Sequence, residues 1–226
     1  MIQKIKSDKI VYFSFLFFVL FLLSINCKAA RPFATDDAPT VAFGEYEIEL
    51  GYDFNKETGE FGLGFKHGLT NSMDIGIGFG YITISSPNFT PPEISLKYAI
   101  IQDTLSFSFV NELGTSNYVI NAIFTKKIFE FIEIDVNIGY SLLYPGQIAE
   151  SHTVTYALAV IAGFEKIDIG IEALGDKEGF KDWQIGSRYS LFDGFNLDAG
   201  ISGGFKDFQA EEILGTVGLH YEFKMN

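Results

Sequence analysis

The chain has 226 residues and a formal net charge of −13, with 29 acidic side chains against 16 Lys and Arg. So acidic a composition lacks the clustered bases with which proteins hold nucleic acid, and excludes that class of partner. Its one cysteine, Cys27, lies in a segment expected to be removed. The mature chain then has no disulfide, thiolate metal site or cysteine nucleophile.

Residues 1–29 read as an export signal. Lys4, Lys6 and Lys9 precede the apolar run Ile10–Ile25, and Cys27-Lys28-Ala29 places small residues where a signal peptidase reads them. A membrane anchor over Phe13–Leu23 is the alternative, but that core is short for a bilayer. A lipidated Cys27 is poorly approached by Ile25-Asn26. Cleavage after Ala29 removes four bases and one acid, taking the charge from −13 to −16, and leaves 197 residues, suited to one domain.

Residues 30–43 contain Pro and Thr and read as irregular. From residue 44 the chain alternates. In Glu45–Asp53, Tyr46, Ile48, Leu50 and Tyr52 fall on one face of an extended strand and Glu45, Glu47, Glu49 and Asp53 on the other. The alternation recurs through Phe61–Phe65, Met73–Tyr81, Ile94–Ile100 and Leu105–Phe109. It is less clean over 118–126, then sharp again from Ile132 to Tyr140. It continues through Tyr156–Val160, Ile167–Ile171, Trp183–Tyr189, Phe195–Ile201 and Val217–Phe223. Asn71, Asp103, Lys127, Glu165 and Asp193 mark brief turns; residues 54–59, 84–92, 144–152, 175–181 and 206–211 read as longer connections.

About twelve such strands, with short turns on one side and longer loops on the other, predict an all-β fold: a closed antiparallel transmembrane β-barrel over 44–226. Tyr52, Tyr81, Tyr118, Tyr140, Tyr156 and Trp183 fall near the long-loop ends of strands, and Tyr46, Tyr98, Tyr189 and Tyr221 near the short-turn ends, as two interfacial girdles. A secreted β-sandwich or lipocalin-like barrel would share the alternation. It would not sort Tyr to strand ends, nor set Gly62, Gly64, Gly76, Gly78, Gly80, Gly170 and Gly186 on the polar face. Glycine there relieves crowding inside a closed, curved sheet. The expected location is therefore a Gram-negative outer membrane, with its lipids as the first partner.

Two stretches carry a resemblance. Thr216-Val217-Gly218-Leu219-His220-Tyr221-Glu222-Phe223 resembles the C-terminal insertion signal of outer-membrane barrels, which implies the barrel-assembly machinery as a partner through Thr216–Phe223; Lys224-Met225-Asn226 follow it, where the signal often ends the chain. Arg31–Val41, running into Gly44-Glu45-Tyr46-Glu47, resembles the start of the outer-membrane family named for the MetA pathway of phenol degradation. That resemblance covers roughly residues 31–53. It implies a transporter and raises aromatic or other apolar solutes as cargo.

On this threading Glu45, Glu47, Glu49, Asp53, Asp74, Glu93, Glu112, Glu133, Asp135, Asp168, Glu172, Asp198 and Glu222 face the lumen, against Lys66, Lys97 and Arg188. A watery bore so lined favours cations. Glu47, Glu49, Asp74, Glu133, Asp135 and Asp168 are the candidate selectivity residues of a passive channel for small solutes. A non-conducting structural or adhesive barrel is the alternative. Asp36 and Asp37 are expected to cap a turn, the alternatives being a divalent cation site or a small plug. No cofactor motif is present. Catalysis would need a Ser–His pair on one wall; Ser187 faces the lipid side without His67, His152 or His220 placed beside it, and no enzyme is expected.

Overall fold

The computed structural model describes residues 33–84, 86–143, 151–206 and 213–225. The signal peptide expected for residues 1–29 and most of the connections expected at 144–152 and 206–211 lie outside them. Thirteen strands occur among the described residues: β1 (Glu45–Phe54), β2 (Gly59–Thr70), β3 (Met73–Ile82), β4 (Asn88–Phe89), β5 (Glu93–Ile101), β6 (Leu105–Glu112), β7 (Tyr118–Phe129), β8 (Ile132–Leu143), β9 (Ser151–Phe164), β10 (Ile167–Asp176), β11 (Gly179–Phe192), β12 (Phe195–Gly204) and β13 (Leu214–Lys224).

Every strand pairs antiparallel with its neighbours, and β1 pairs with β13, so twelve strands close into a ring. The two-residue β4 extends the β3 ladder beyond the point where β5 leaves it, with Thr90-Pro91-Pro92 between them. Proline cannot donate to a ladder, which accounts for the interruption. Closure leaves no free edge, as hydrocarbon requires.

Alternation places the apolar set outside. Ile171 and Ile138, in mid-strand, are 58% and 57% exposed, and Phe107, Phe109, Ile120, Ile169 and Ile201 are likewise uncovered. In water such a belt would drive aggregation; its natural solvent is acyl chain. Rings stack at the rims, as where Tyr46 lies 5.6 Å from Phe223 and Tyr221 5.2 Å from Phe223. β1 begins and β13 ends at the short-turn rim, where Glu45 pairs with Lys224.

Three details differ from the sequence reading. Residues 175–181 form a tight turn, with only Lys177 and Glu178 between β10 and β11. Gly179, at φ +119°, makes that reversal, and Lys181 Nζ lies 2.7 Å from Asp176 Oδ2 across it. Lys127 lies within β7, and the turn falls at Glu130-Phe131, one bulge further on. A five-residue connection at 113–117, turned by Gly114 at φ +79°, joins β6 to β7. β7 itself reads poorly because Ile123 faces inward, wholly buried, while Lys126 faces out.

Candidate functional site

The lumen is crossed by the chain itself. Residues 33–43 run from the short-turn rim at β2 across the barrel to β10, as an irregular strap with Ala38 fully buried. The strap has no ladder of its own, so its backbone groups are met by inward side chains of the wall. Glu172 accepts from Ala34 N and Thr35 N at 2.8 Å each, and from Thr35 Oγ1. Asn137 Oδ1 accepts from Asp36 N at 2.8 Å while its Nδ2 donates to Asp36 O at 2.8 Å. Thr125 Oγ1 accepts from Ala38 N and donates to Asp135 Oδ1. Ser106 Oγ donates to Ala38 O, and Asp74 Oδ2 accepts from Val41 N at 3.0 Å. Buried backbone groups are normally satisfied; here the barrel wall does it.

Two glycines admit the strap at its ends. A Cβ on Gly68 would fall 2.0 Å from Ala42 O, and one on Gly170 2.6 Å from Phe33 Cζ. Gly170 belongs to the inward glycines that the sequence explains by crowding of the sheet; part of that crowding is the strap.

Asp36 and Asp37 do more than cap a turn. Asp36 Oδ1 accepts from Asp37 N at 3.1 Å, a local bond, but both residues also face Lys97. Lys97 Nζ donates to Asp36 Oδ1, Asp37 O and Pro39 O at 3.0, 2.9 and 3.2 Å.

The six candidate selectivity residues divide into three groups. Asp74 and Asp135 anchor the strap. Glu47 and Glu49 share Lys66, whose Nζ lies 2.6 and 3.4 Å from their carboxylates. Glu133 and Asp168 line a cavity of about 220 Å³ at the short-turn mouth, together with Asp37, Asp135, Lys127 and Arg188. Lys127 stands 3.9 Å from Glu133 and is largely in solvent. Arg188 is turned to Asp198, with Nε 2.8 Å from Oδ1 and Nη2 3.3 Å from Oδ2. A second cavity of about 490 Å³, on the long-loop side of the strap, is lined by Glu49, Asp53, Lys66, Asp74 and Lys97 among others. The docking residues Glu172, Asn137, Thr125 and Ser106 were not singled out by spacing; their sequence signal is a band of hydrogen-bonding side chains facing inward on β6, β7, β8 and β10 at one level.

The histidines are dispersed. His67 Nδ1 lies 3.0 Å from Glu45 O and its ring stacks on Tyr46 at 4.3 Å. His152 meets the Tyr140 hydroxyl. His220 faces Glu47 and Glu222. Ser187 stands between Ile169 and Ala199 in the ladders.

No protein-family model and no curated sequence matches the chain. Among solved structures, the KdgM porin aligns with a TM-score of 0.61 at 12% identity, over 78% of this chain and 99% of its own. The COG4313 outer membrane channel from Pseudomonas putida F1 aligns at 0.59 and 9%, over 84% and 100%. The NanC porin aligns at 0.57 and 8%, over 80% and 100%. The chain has the fold of outer-membrane channel barrels. With its apolar belt, that fold indicates an outer membrane as its location.

Proposed function

We propose that the protein is a passive outer-membrane channel for small solutes, with a preference for cations set by its acidic lumen and a bore narrowed by the strap at 33–43. The observation that carries this reading is the short-turn vestibule. There Glu133 and Asp168 face the cavity, the nearest ammonium stands off at 3.9 Å, and the guanidinium is held by Asp198. A low-dielectric wall concentrates the field of such charges, so cations gather and anions are repelled.

A KdgM structure is described in complex with oligogalacturonate, an anionic sugar chain; the carboxylates here argue for the opposite charge class. The resemblance of residues 31–53 to the MetA-pathway family supports transport and adds apolar solutes as a cargo class, and the vestibule sets Phe33, Phe131 and Ile161 beside its charged groups. We assign the chain no catalytic role, and assign Thr216–Phe223, most of β13, to recognition by the barrel-assembly machinery.

One observation favours the second reading, a non-conducting structural or adhesive barrel: the strap is bonded to six wall strands, β3, β5, β6, β7, β8 and β10. Planar-bilayer recording in a KCl gradient separates the two. The channel reading expects discrete steps with a cation-selective reversal potential that moves toward zero in Glu133→Gln/Asp168→Asn. Membranes that stay silent at every protein load would overturn it in favour of the structural role.

A further inference from the structure

We infer that Glu47, His220 and Glu222 form a divalent transition-metal site across the seam where the first and last barrel strands join. The site stands independently of the channel reading. In the β1–β13 ladder Glu47 is the direct partner of Glu222, and His220 is the partner of Glu49. Two carboxylates opposed on one face of a ladder repel each other; Lys66 offsets this at Glu47 Oε1, and a cation bound between Glu47 Oε2 and Glu222 would offset the rest.

The donors are spaced for a metal. His220 Nε2 lies 3.2 Å from Glu222 Oε1 and 3.5 Å from Glu47 Oε2, and all three ligand atoms lie within 4.8 Å of one another. Tetrahedral zinc with N and O ligands at its usual bond lengths separates its donors by about 3.4 Å. His220 is 3% exposed, yet neither ring nitrogen has a hydrogen-bond partner. Both flanking oxygens lie within ion-pair distance, so what is missing is alignment with the ring N–H.

The surroundings suit the assignment. Lys66 Nζ holds Glu47 Oε1 at 2.6 Å, so Oε2 is the oxygen directed at His220. Such an outer contact fixes a ligand's orientation. Glu222 is half-exposed at the short-turn mouth, which gives an ion a path in and leaves a fourth position for water. One imidazole with two carboxylates selects Zn²⁺ or Co²⁺ over Mg²⁺, Ca²⁺ or Mn²⁺, which favour all-oxygen sets.

The test is titration of the detergent-solubilised protein with CoCl₂, followed by visible absorption, and then competition with ZnCl₂. One equivalent of Co²⁺ should give the d–d bands of a four- or five-coordinate ion, and Zn²⁺ should abolish them. Because the ion bridges the closing seam, ZnCl₂ should also raise the unfolding temperature relative to EDTA by mass action. Glu222→Gln, at a half-exposed position, should weaken Co²⁺ binding at least tenfold, and His220→Gln should remove it. The site is overturned by a wild-type protein without d–d bands whose unfolding temperature is the same in ZnCl₂ and EDTA. It is equally overturned by bands that persist unchanged in both variants.

Discussion

Lys97 Nζ lies 3.0 Å from Asp36 Oδ1, joining the middle of β5 to a residue 61 positions earlier in the chain. With the carbonyls of Asp37 and Pro39, that carboxylate takes all three ammonium protons. A lysine that is 6% exposed at the barrel wall finds its hydrogen-bond acceptors in the strap, and the strap is held across the bore by the lysine. Hydrogen bonds to charged groups contribute about 1.5–3 kcal/mol each where they are buried, and the partly exposed aspartates take less than the full amount.

Replacing that lysine by an isosteric apolar side chain should therefore loosen the strap without opening the barrel. Lys97→Met is expected to give larger or noisier current steps than wild type at equal salt, and a folded barrel by its heat-modified mobility on gels. Identical conductance in the two proteins would mean that the strap is not the constriction.

The Arg188–Asp198 pair should matter to stability as well as to charge. The Asp198 side chain is 1% exposed and its partner 22%. Arg188→Gln leaves a buried carboxylate without its cation, and breaking such a pair costs about 3 kcal/mol. Urea unfolding of the barrel in lipid vesicles should show that loss, with part of it restored in Arg188→Gln/Asp198→Asn. A single variant as stable as wild type would show the pair to be solvated.

On the outer face the expected penalty depends on depth. Ile171 lies in the middle of β10, whereas Phe129 ends β7 at the short-turn rim. Arginine at the bilayer midplane costs about 2–4 kcal/mol, and near the interface about 0–1. Ile171→Arg should destabilise the reconstituted barrel by that larger amount and Phe129→Arg by the smaller. Equal costs at the two positions would contradict the membrane depth assigned to the belt.

The barrel was legible because its two faces meet different solvents along every strand. Tyr46, Ile48 and Leu50 against Glu45, Glu47 and Glu49 already separate lipid from lumen, and strand count followed from repetition. Loops were less legible: the hairpin at Lys177-Glu178 is polar enough to look long, and only Gly179 betrays the reversal. The strap was hardest to see. Its partners come from strands scattered over more than a hundred residues, and Asn137 or Glu172 looks in sequence like any other inward polar side chain. By charge alone Asp74 and Asp135 look like Glu133 and Asp168; what separates them is that Asp74 accepts from a strap backbone N–H and Asp135 from the Thr125 hydroxyl that holds the strap.

The seat of the strap can be tested by a coupling experiment at Gly68. A Cβ there would fall 2.0 Å from Ala42 O and 2.5 Å from Val41 O, both backbone atoms with no rotamer through which to retreat. The adjoining bond from Gly44 N to Gly68 O, at 2.9 Å, and the Phe43–Gly68 bridge fix the crossing point on either side. Gly68→Ala should then destabilise the barrel by about 1–3 kcal/mol, as overpacking does. At Gly170 the nearest obstacle is the far tip of the Phe33 ring at 2.6 Å, and the nearest backbone atom, Val160 O, stands at 3.0 Å, so Gly170→Ala should cost less. In a chain lacking residues 33–42 the atoms facing Gly68 are gone and Gly68→Ala should become nearly neutral, whereas Gly170→Ala keeps the 3.0 Å approach to Val160 O and should lose only the part of its cost that Phe33 imposes. The difference between backgrounds is the interaction energy, and contacting residues typically give about 0.5–3 kcal/mol. Urea unfolding in vesicles measures it; equal costs for Gly68→Ala with and without the strap would show that the strap does not rest against β2 in the membrane.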